Sequence, residues 1–149
     1  MKKQFNFLLV ILIIIVLAYL LRPPDEMTHR LWVVKGITLT EPYRAAVMEY
    51  WQNTQQLPVS IDDLGLEKIL VRVDFDKTAV ASITVGENGP GTVTVHYSTA
   101  HAEKAPPAIH NTRIILVPVL MDEGFAWGCK GTLPRELLPV PCHSLSAVK

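Results

Sequence analysis

Residues Phe5 to Leu21 read FNFLLVILIIIVLAYLL, an almost unbroken apolar run with Asn6 as its one polar interruption. As a helix at 1.5 Å per residue the run would be about 25 Å long, slightly short of a hydrocarbon core of about 30 Å. Lys2 and Lys3 precede it and Tyr19 lies near its end, so snorkelling at both interfaces closes the gap. The stretch reads as a single-pass anchor lying in a lipid bilayer through Phe5–Leu21. The positive-inside bias puts Met1 to Lys3 in the cytoplasm and everything after Arg22 on the far side. A cleaved secretory signal shares the basic start and apolar run, and Val16-Leu17-Ala18 has small residues where cleavage would occur. Yet Tyr19, Leu20 and Leu21 carry the run past that point. A buried core helix is a third reading, unusual for a charge-free run of this length.

The remaining chain suffices for one domain with one modest core, which gives a division into a 1–24 anchor helix and a 25–149 head. The chain has 14 basic and 14 acidic residues and no run of like charge, so nothing points to nucleic acid as a partner. Its two cysteines, Cys129 and Cys142, fall beyond the anchor, where an oxidising compartment favours a disulfide. On the chain-entropy account a loop of that length contributes about 3 kcal/mol. A metal site would need more ligands than the neighbouring His143.

Pro23-Pro24 predicts a kink or break after the anchor. Asp25-Glu26 suit the first turn of a resumed helix, in which Leu31, Val34 and Ile37 recur at helical spacing and Gly36 and Thr38 to Thr40 weaken the pattern. Thr40 is a candidate N-cap for the surest helix, Glu41 to Thr54, whose apolar face is Tyr43, Ala46, Val47 and Tyr50. Leu57-Pro58 ends it, and Ser60 to Leu66 reads as a short turn with Gly65 left-handed. Strands are predicted at Ile69–Phe75, Ala79–Val85, Thr92–Tyr97, Arg113–Leu120 and Phe125–Cys129. Gly86 to Gly91 is a hairpin connection. Pro118 marks an edge or bulge, Asp122-Glu123-Gly124 a tight turn, Trp127 a packing anchor. His101 to Asn111 reads as an exposed loop, and the Pro-rich tail from Gly131 as an extended or turning segment pinned by Cys142. The fold class is α+β, a helix on an antiparallel sheet of four or five strands.

Ala45 to Trp51 with Leu57-Pro58, and the order Arg113–Leu120, Phe125-Ala126-Trp127-Gly128-Cys129, Gly131-Thr132, Leu137-Leu138-Pro139, Cys142, resemble type IV pilins. Val80–Val85 and its glycine-rich turn fit that family's first hairpin. The resemblance implies an N-terminal transmembrane helix that continues into the head, packs on a four-stranded antiparallel sheet and is closed by a C-terminal disulfide. It implies a structural subunit of a pilus or related filament, held in the inner membrane with its head periplasmic or in an extracellular filament, with other pilin subunits and pilus assembly proteins as partners. Adhesion, motility and DNA uptake are the roles such filaments serve. Prepilins begin with a basic leader ending in glycine, then phenylalanine, then a glutamate a few residues into the helix. This chain shows no glycine before Phe5 or Phe7 and no acidic residue before Asp25. Those departures favour an alternative, a non-polymerising membrane-anchored accessory protein that modulates assembly or binds a partner through its head.

No enzymatic chemistry stands out. His96, on one strand face with Thr92 and Thr94, and His101 fall in or near a strand end, His110 lies in the Pro-rich loop and His143 follows Cys142; none has ligand spacing, and exposed histidines explain them better than a metal site. Asp74 and Asp76 share a strand face that solvation explains. The serines lack a nucleophile elbow, and no phosphate-binding glycine loop is present. Trp32, Trp51 and Trp127 read as packing anchors. The expectation is no catalytic residue, no cofactor and no metal, with an anchored or soluble periplasmic enzyme as a remote third class.

Overall fold

The computed structural model describes residues 2–20, 25–65, 78–99, 105–121, 124–139 and 142, with side chains described except at 2–9, 25–26 and 124–125. Helix α1, Lys2–Leu20, contains most of the apolar run. From Val10 to Leu20 every side chain is exposed, so the helix finds no core of its own. Among the described residues no helix is long and apolar enough to cross a membrane. Leu21 to Pro24, and with them the expected kink, lie outside the described residues.

Helix α2, Asp25–Thr38, starts at the predicted acidic pair. Its buried side is Val33 and Gly36, continued by Thr40, while Leu31 and Val34 face outward and Ile37 is half-buried. This corrects the predicted Leu31/Val34/Ile37 face. Both sets fit helical spacing, and apolarity alone favours the Leu31/Val34/Ile37 stripe. Gly36 decides it, because a residue without a side chain lets the sheet come closest. A Cβ there would sit 2.5 Å from the Tyr97 hydroxyl.

Only Leu39 and Thr40 separate α2 from α3, Glu41–Thr54, whose bounds match the sequence reading. Thr40 occupies the N-cap position but does not cap with its side chain. Its backbone is already helical, at φ −79° and ψ −7°. The hydroxyl instead donates back to the Ile37 carbonyl at 2.6 Å, and the Thr40 N–H tightens onto the same carbonyl at 3.0 Å. The two helices therefore follow each other through one tightened turn, with Pro42 tolerated in the first turn of α3. Tyr43 and Val47 bury the inner face of α3. Gln55 ends it in the left-handed region at φ 56°, its N–H returning to the Trp51 carbonyl at 2.8 Å. A 3₁₀ turn over Asp62–Leu64 closes on left-handed Gly65 as expected.

The sheet has four antiparallel strands in the order β1-β2-β3-β4: Val80–Val85, Val93–Tyr97, Arg113–Met121 and Gly124–Gly131. The predicted Ile69–Phe75 strand lies outside the described residues. Alternation sorts the two faces. Val85↔Val93↔Leu116↔Cys129 and Ile83↔Val95↔Ile114↔Gly131 form rows facing the helices. Ser82↔His96↔Arg113 and Thr84↔Thr94↔Ile115↔Lys130 form rows on the other face. Ala81 is skipped in the β1–β2 register, a bulge at the start of the first strand. Pro118 lies beyond Leu116, the last β3 residue paired to β2, so its missing N–H falls where β3 is locally an edge. In the first hairpin Gly86, at φ 80°, packs against the Val59 carbonyl so closely that a Cβ would overlap it.

Two segments differ from expectation. The Pro-rich loop is not simply exposed: Ala105, Pro106 and Ile109 are buried, with a 3₁₀ turn over Pro107–Ile109. Ile109, the one branched aliphatic between Ala105 and Thr112, plugs the core. The tail turns as predicted but also packs inward through Leu133, Leu137 and Leu138. It meets α2 where the Arg30 guanidinium donates to the Glu136 carbonyl at 2.7 Å.

Candidate functional site

The head's polar features gather on the sheet face turned away from the helices. The turn after β1 folds back over it. The Glu87 carboxylate accepts from the Thr84 hydroxyl at 2.6 Å and meets His96 Nε2 at 2.7 Å. Asn88 Nδ2 donates to the Thr94 hydroxyl at 2.9 Å, which leaves Thr94 fully buried in the middle of the sheet. The Thr84 bond first, then the His96 bond, hold the Glu87 carboxyl below its ordinary range; partial burial works against this, and the charges of His96 and Arg113 assist it. His96 lies in the strand where alternation placed it, and it differs from the expected unpartnered, exposed histidine in having a carboxylate partner. His110 lies in the loop, its Nδ1 accepting from the Thr99 N–H at 3.2 Å. His101 and His143, with Asp74 and Asp76, lie outside the described residues. Beside this cluster a groove of about 620 Å³ opens among β1, β2, β3 and Thr132, lined by His96, Ser98 and Arg113.

The opposite face is tied to the helices by Tyr97. Its hydroxyl donates to the Val33 carbonyl at 2.8 Å, and burial pushes its phenol well up, so it stays a neutral donor. Trp32, Trp51 and Trp127 are half-buried against the core, as the packing reading requires.

Cys129 lies on β4 opposite Leu116, and its sulfur is bonded to that of Cys142, with Cα atoms 4.5 Å apart. Both half-cystines are buried. The bond closes a loop that carries the buried leucines of the tail and the contact with Arg30. Among the described residues no three His, Cys, Asp or Glu side chains group as a metal site.

Helix on four-stranded antiparallel sheet, an apolar helix ahead of it and a disulfide at the far end form one arrangement, and the family comparison decides its identity. The model of the family Pilin (bacterial filament) matches residues 32–143, which takes in α2 from Trp32, all of α3, the whole sheet and both cysteines. The chain belongs to the pilin family. None of the curated proteins matches it in sequence. The family is structural and non-enzymatic, and a pilin's relevant surfaces are those it presents to other subunits. The sequence pointed to the two cysteines and the Trp-x-Cys strand. It missed the Thr84–Glu87–His96 cluster and the Arg113 groove. The only signal for them was alternation, which set His96 on the same face as Thr92 and Thr94. Their convergence depends on strand register and on the turn folding back, and neither is written in spacing.

Proposed function

We propose that this pilin is a structural subunit of a pilus or related filament, stored in the inner membrane by Phe5–Leu21 with its head on the periplasmic side, and packed in the filament core through α1. One observation carries the reading. An apolar helix with all its described side chains exposed precedes a head that is otherwise well packed. Apolar surface of that extent needs a bilayer or other helices to cover it. Lipid covers it before assembly, and the α1 helices of neighbouring subunits cover it afterwards by van der Waals packing. Met27, Leu31 and Val34 of α2 are exposed apolar residues as well. Pilus assembly proteins would deliver the subunit.

Cysteine pairs placed on α1 test this, for example Val10→Cys with Leu17→Cys, Val10→Cys with Ile14→Cys, or Ile14→Cys with Leu17→Cys, with the head disulfide left intact. Oxidation should link these subunits into ladders at some α1 positions and not at others, following a helical period. Absence of linkage at every position would sink the proposal. A second reading, a non-polymerising accessory protein acting through its head, is favoured by the absence of any acidic residue from Lys2 to Leu20. A buried acid there would attract a neighbouring subunit's amine, since charge in an apolar core needs a partner. The accessory form would give no ladders.

A further inference from the structure

The groove on the outer sheet face has a shape and chemistry that filament packing through α1 does not use. His96 and Arg113 are opposite each other in the β2–β3 register and lie side by side along it. Among the described residues Ser98, Asn111, Thr112 and Thr132 supply the rest of its polar lining. The bulge at Ala81 interrupts the β1–β2 ladder at this end of the sheet, and Asn111 turns the chain in the left-handed region at φ 54° just before β3. Bulges of this kind re-aim strands beside sites.

We propose that this groove binds an acidic sugar, a hydroxyl-rich ring carrying one carboxylate, with Arg113 receiving the carboxylate. Four observations converge. The volume of about 620 Å³ lies within the range of small-ligand pockets, roughly 300–1,000 Å³. Among the described residues the lining pairs the hydroxyls of Ser98, Thr112 and Thr132 and the Asn111 amide with apolar surface from Ala81 and Tyr97, a mixture that matches the hydroxyls and the C–H faces of a sugar ring. The Arg113 backbone is fixed on both sides, its N–H donating to the Thr132 hydroxyl at 3.0 Å and its carbonyl accepting from the Thr132 N–H at 3.0 Å. Its guanidinium, in contrast, has no hydrogen bond or ion pair among the described residues. A planar fork held on a rigid strand and left unpaired suits a carboxylate in two-point contact. Finally, Arg113 is the one Lys or Arg among the described residues lining the groove, and the Glu87 carboxylate stands on its flank, bonded to His96. One cation beside a fixed negative charge selects a single charge and repels polyanions, which need several cations in a row.

The binding belongs to the head and does not depend on whether the chain polymerises. The test uses the full chain in micelles of a polyoxyethylene detergent, at neutral pH and 0.15 M salt, followed by amide NMR. Glucuronate should shift the Arg113 and His96 signals saturably, and glucose and acetate should each bind at least about tenfold more weakly. Arg113→Gln should weaken glucuronate about tenfold or more, the loss expected for hydrogen bonds to a charged group. Lys130→Gln removes an exposed cation from the same sheet face and should change affinity less than about twofold. Arg113→Lys, which keeps the charge and loses the fork, should fall between Arg113→Gln and the parent. The proposal is overturned if glucuronate fails to saturate the parent, if acetate or glucose matches it, if Lys130→Gln weakens binding as much as Arg113→Gln, or if Arg113→Lys binds as the parent does.

Discussion

Gly36 sets how closely the helices approach the sheet. Ala would be the better helix former by about 1 kcal/mol, yet its Cβ would lie 2.5 to 2.8 Å from three atoms of the buried Tyr97 ring and hydroxyl. That ring is rigid and is bonded to the carbonyl of Val33. Overpacking of this kind costs about 1–3 kcal/mol, so Gly36→Ala should destabilise the head on balance. Thermal melts should show it, and the penalty should shrink in a Tyr97→Leu background, because the two residues are in contact. Equal penalties in both backgrounds would contradict the close approach. Glu87 gives a second prediction at this scale. Its carboxyl is held below the ordinary range by Thr84 and His96, so a folded carboxylate is favoured over an unfolded one. That contribution is fully present above the ordinary glutamate pKa and disappears as pH falls through the lower, folded value. The side chain is substantially exposed, so solvent screening keeps the effect under about 1 kcal/mol. Glu87→Gln should therefore be slightly less stable than the parent at neutral pH and indistinguishable from it once both carboxyl states are protonated. A gap that persists at low pH would assign the effect to packing.

At the scale of elements, the loop between Cys129 and Cys142 is the least self-sufficient part of the head. Its described residues hold one short 3₁₀ turn, Arg135–Leu137, and it depends on three buried leucines and the disulfide. Opening it should cost about 3 kcal/mol. Cys129→Ser or Cys142→Ser should each expose the segment after Gly131 to protease while the sheet survives longer. Equal resistance of mutant and parent would show that the leucines alone hold the tail. The elements themselves were largely legible. Proline and glycine punctuation placed both ends of α3, and alternation placed β1 and β2. What could not be read was the rotation of α2, because Leu31/Val34/Ile37 is the more apolar stripe and only the close approach of the sheet at Gly36 turns Val33/Gly36/Thr40 inward. Thr40 departs from the expected side-chain cap for a related reason. An N-cap side chain bonds forward only when its backbone is extended, and the tight α2–α3 turn keeps it helical. The Pro-rich loop reads as exposed from composition, but Ile109 had a vacancy in the core to fill. Within the polar cluster, His96 and Arg113 are 17 positions apart in sequence and meet only through register, which no local pattern encodes.

On the scale of the whole molecule, a compact head with a packed core is joined in sequence to a helix whose apolar side chains are exposed. The head alone accounts for the family. The helix accounts for the proposed function, since burying that surface is what would drive membrane storage and filament packing alike. Replacing Ile14 with Glu should therefore leave the fold of the head unchanged, as judged by protease resistance, while reducing membrane retention and filament yield together. The filament itself is the most direct test. Filaments sheared from cells and separated from membranes should contain this chain, full length in its head and recovered in proportion to total filament. Its complete retention in the inner-membrane fraction, with none in the sheared filaments, would contradict the account.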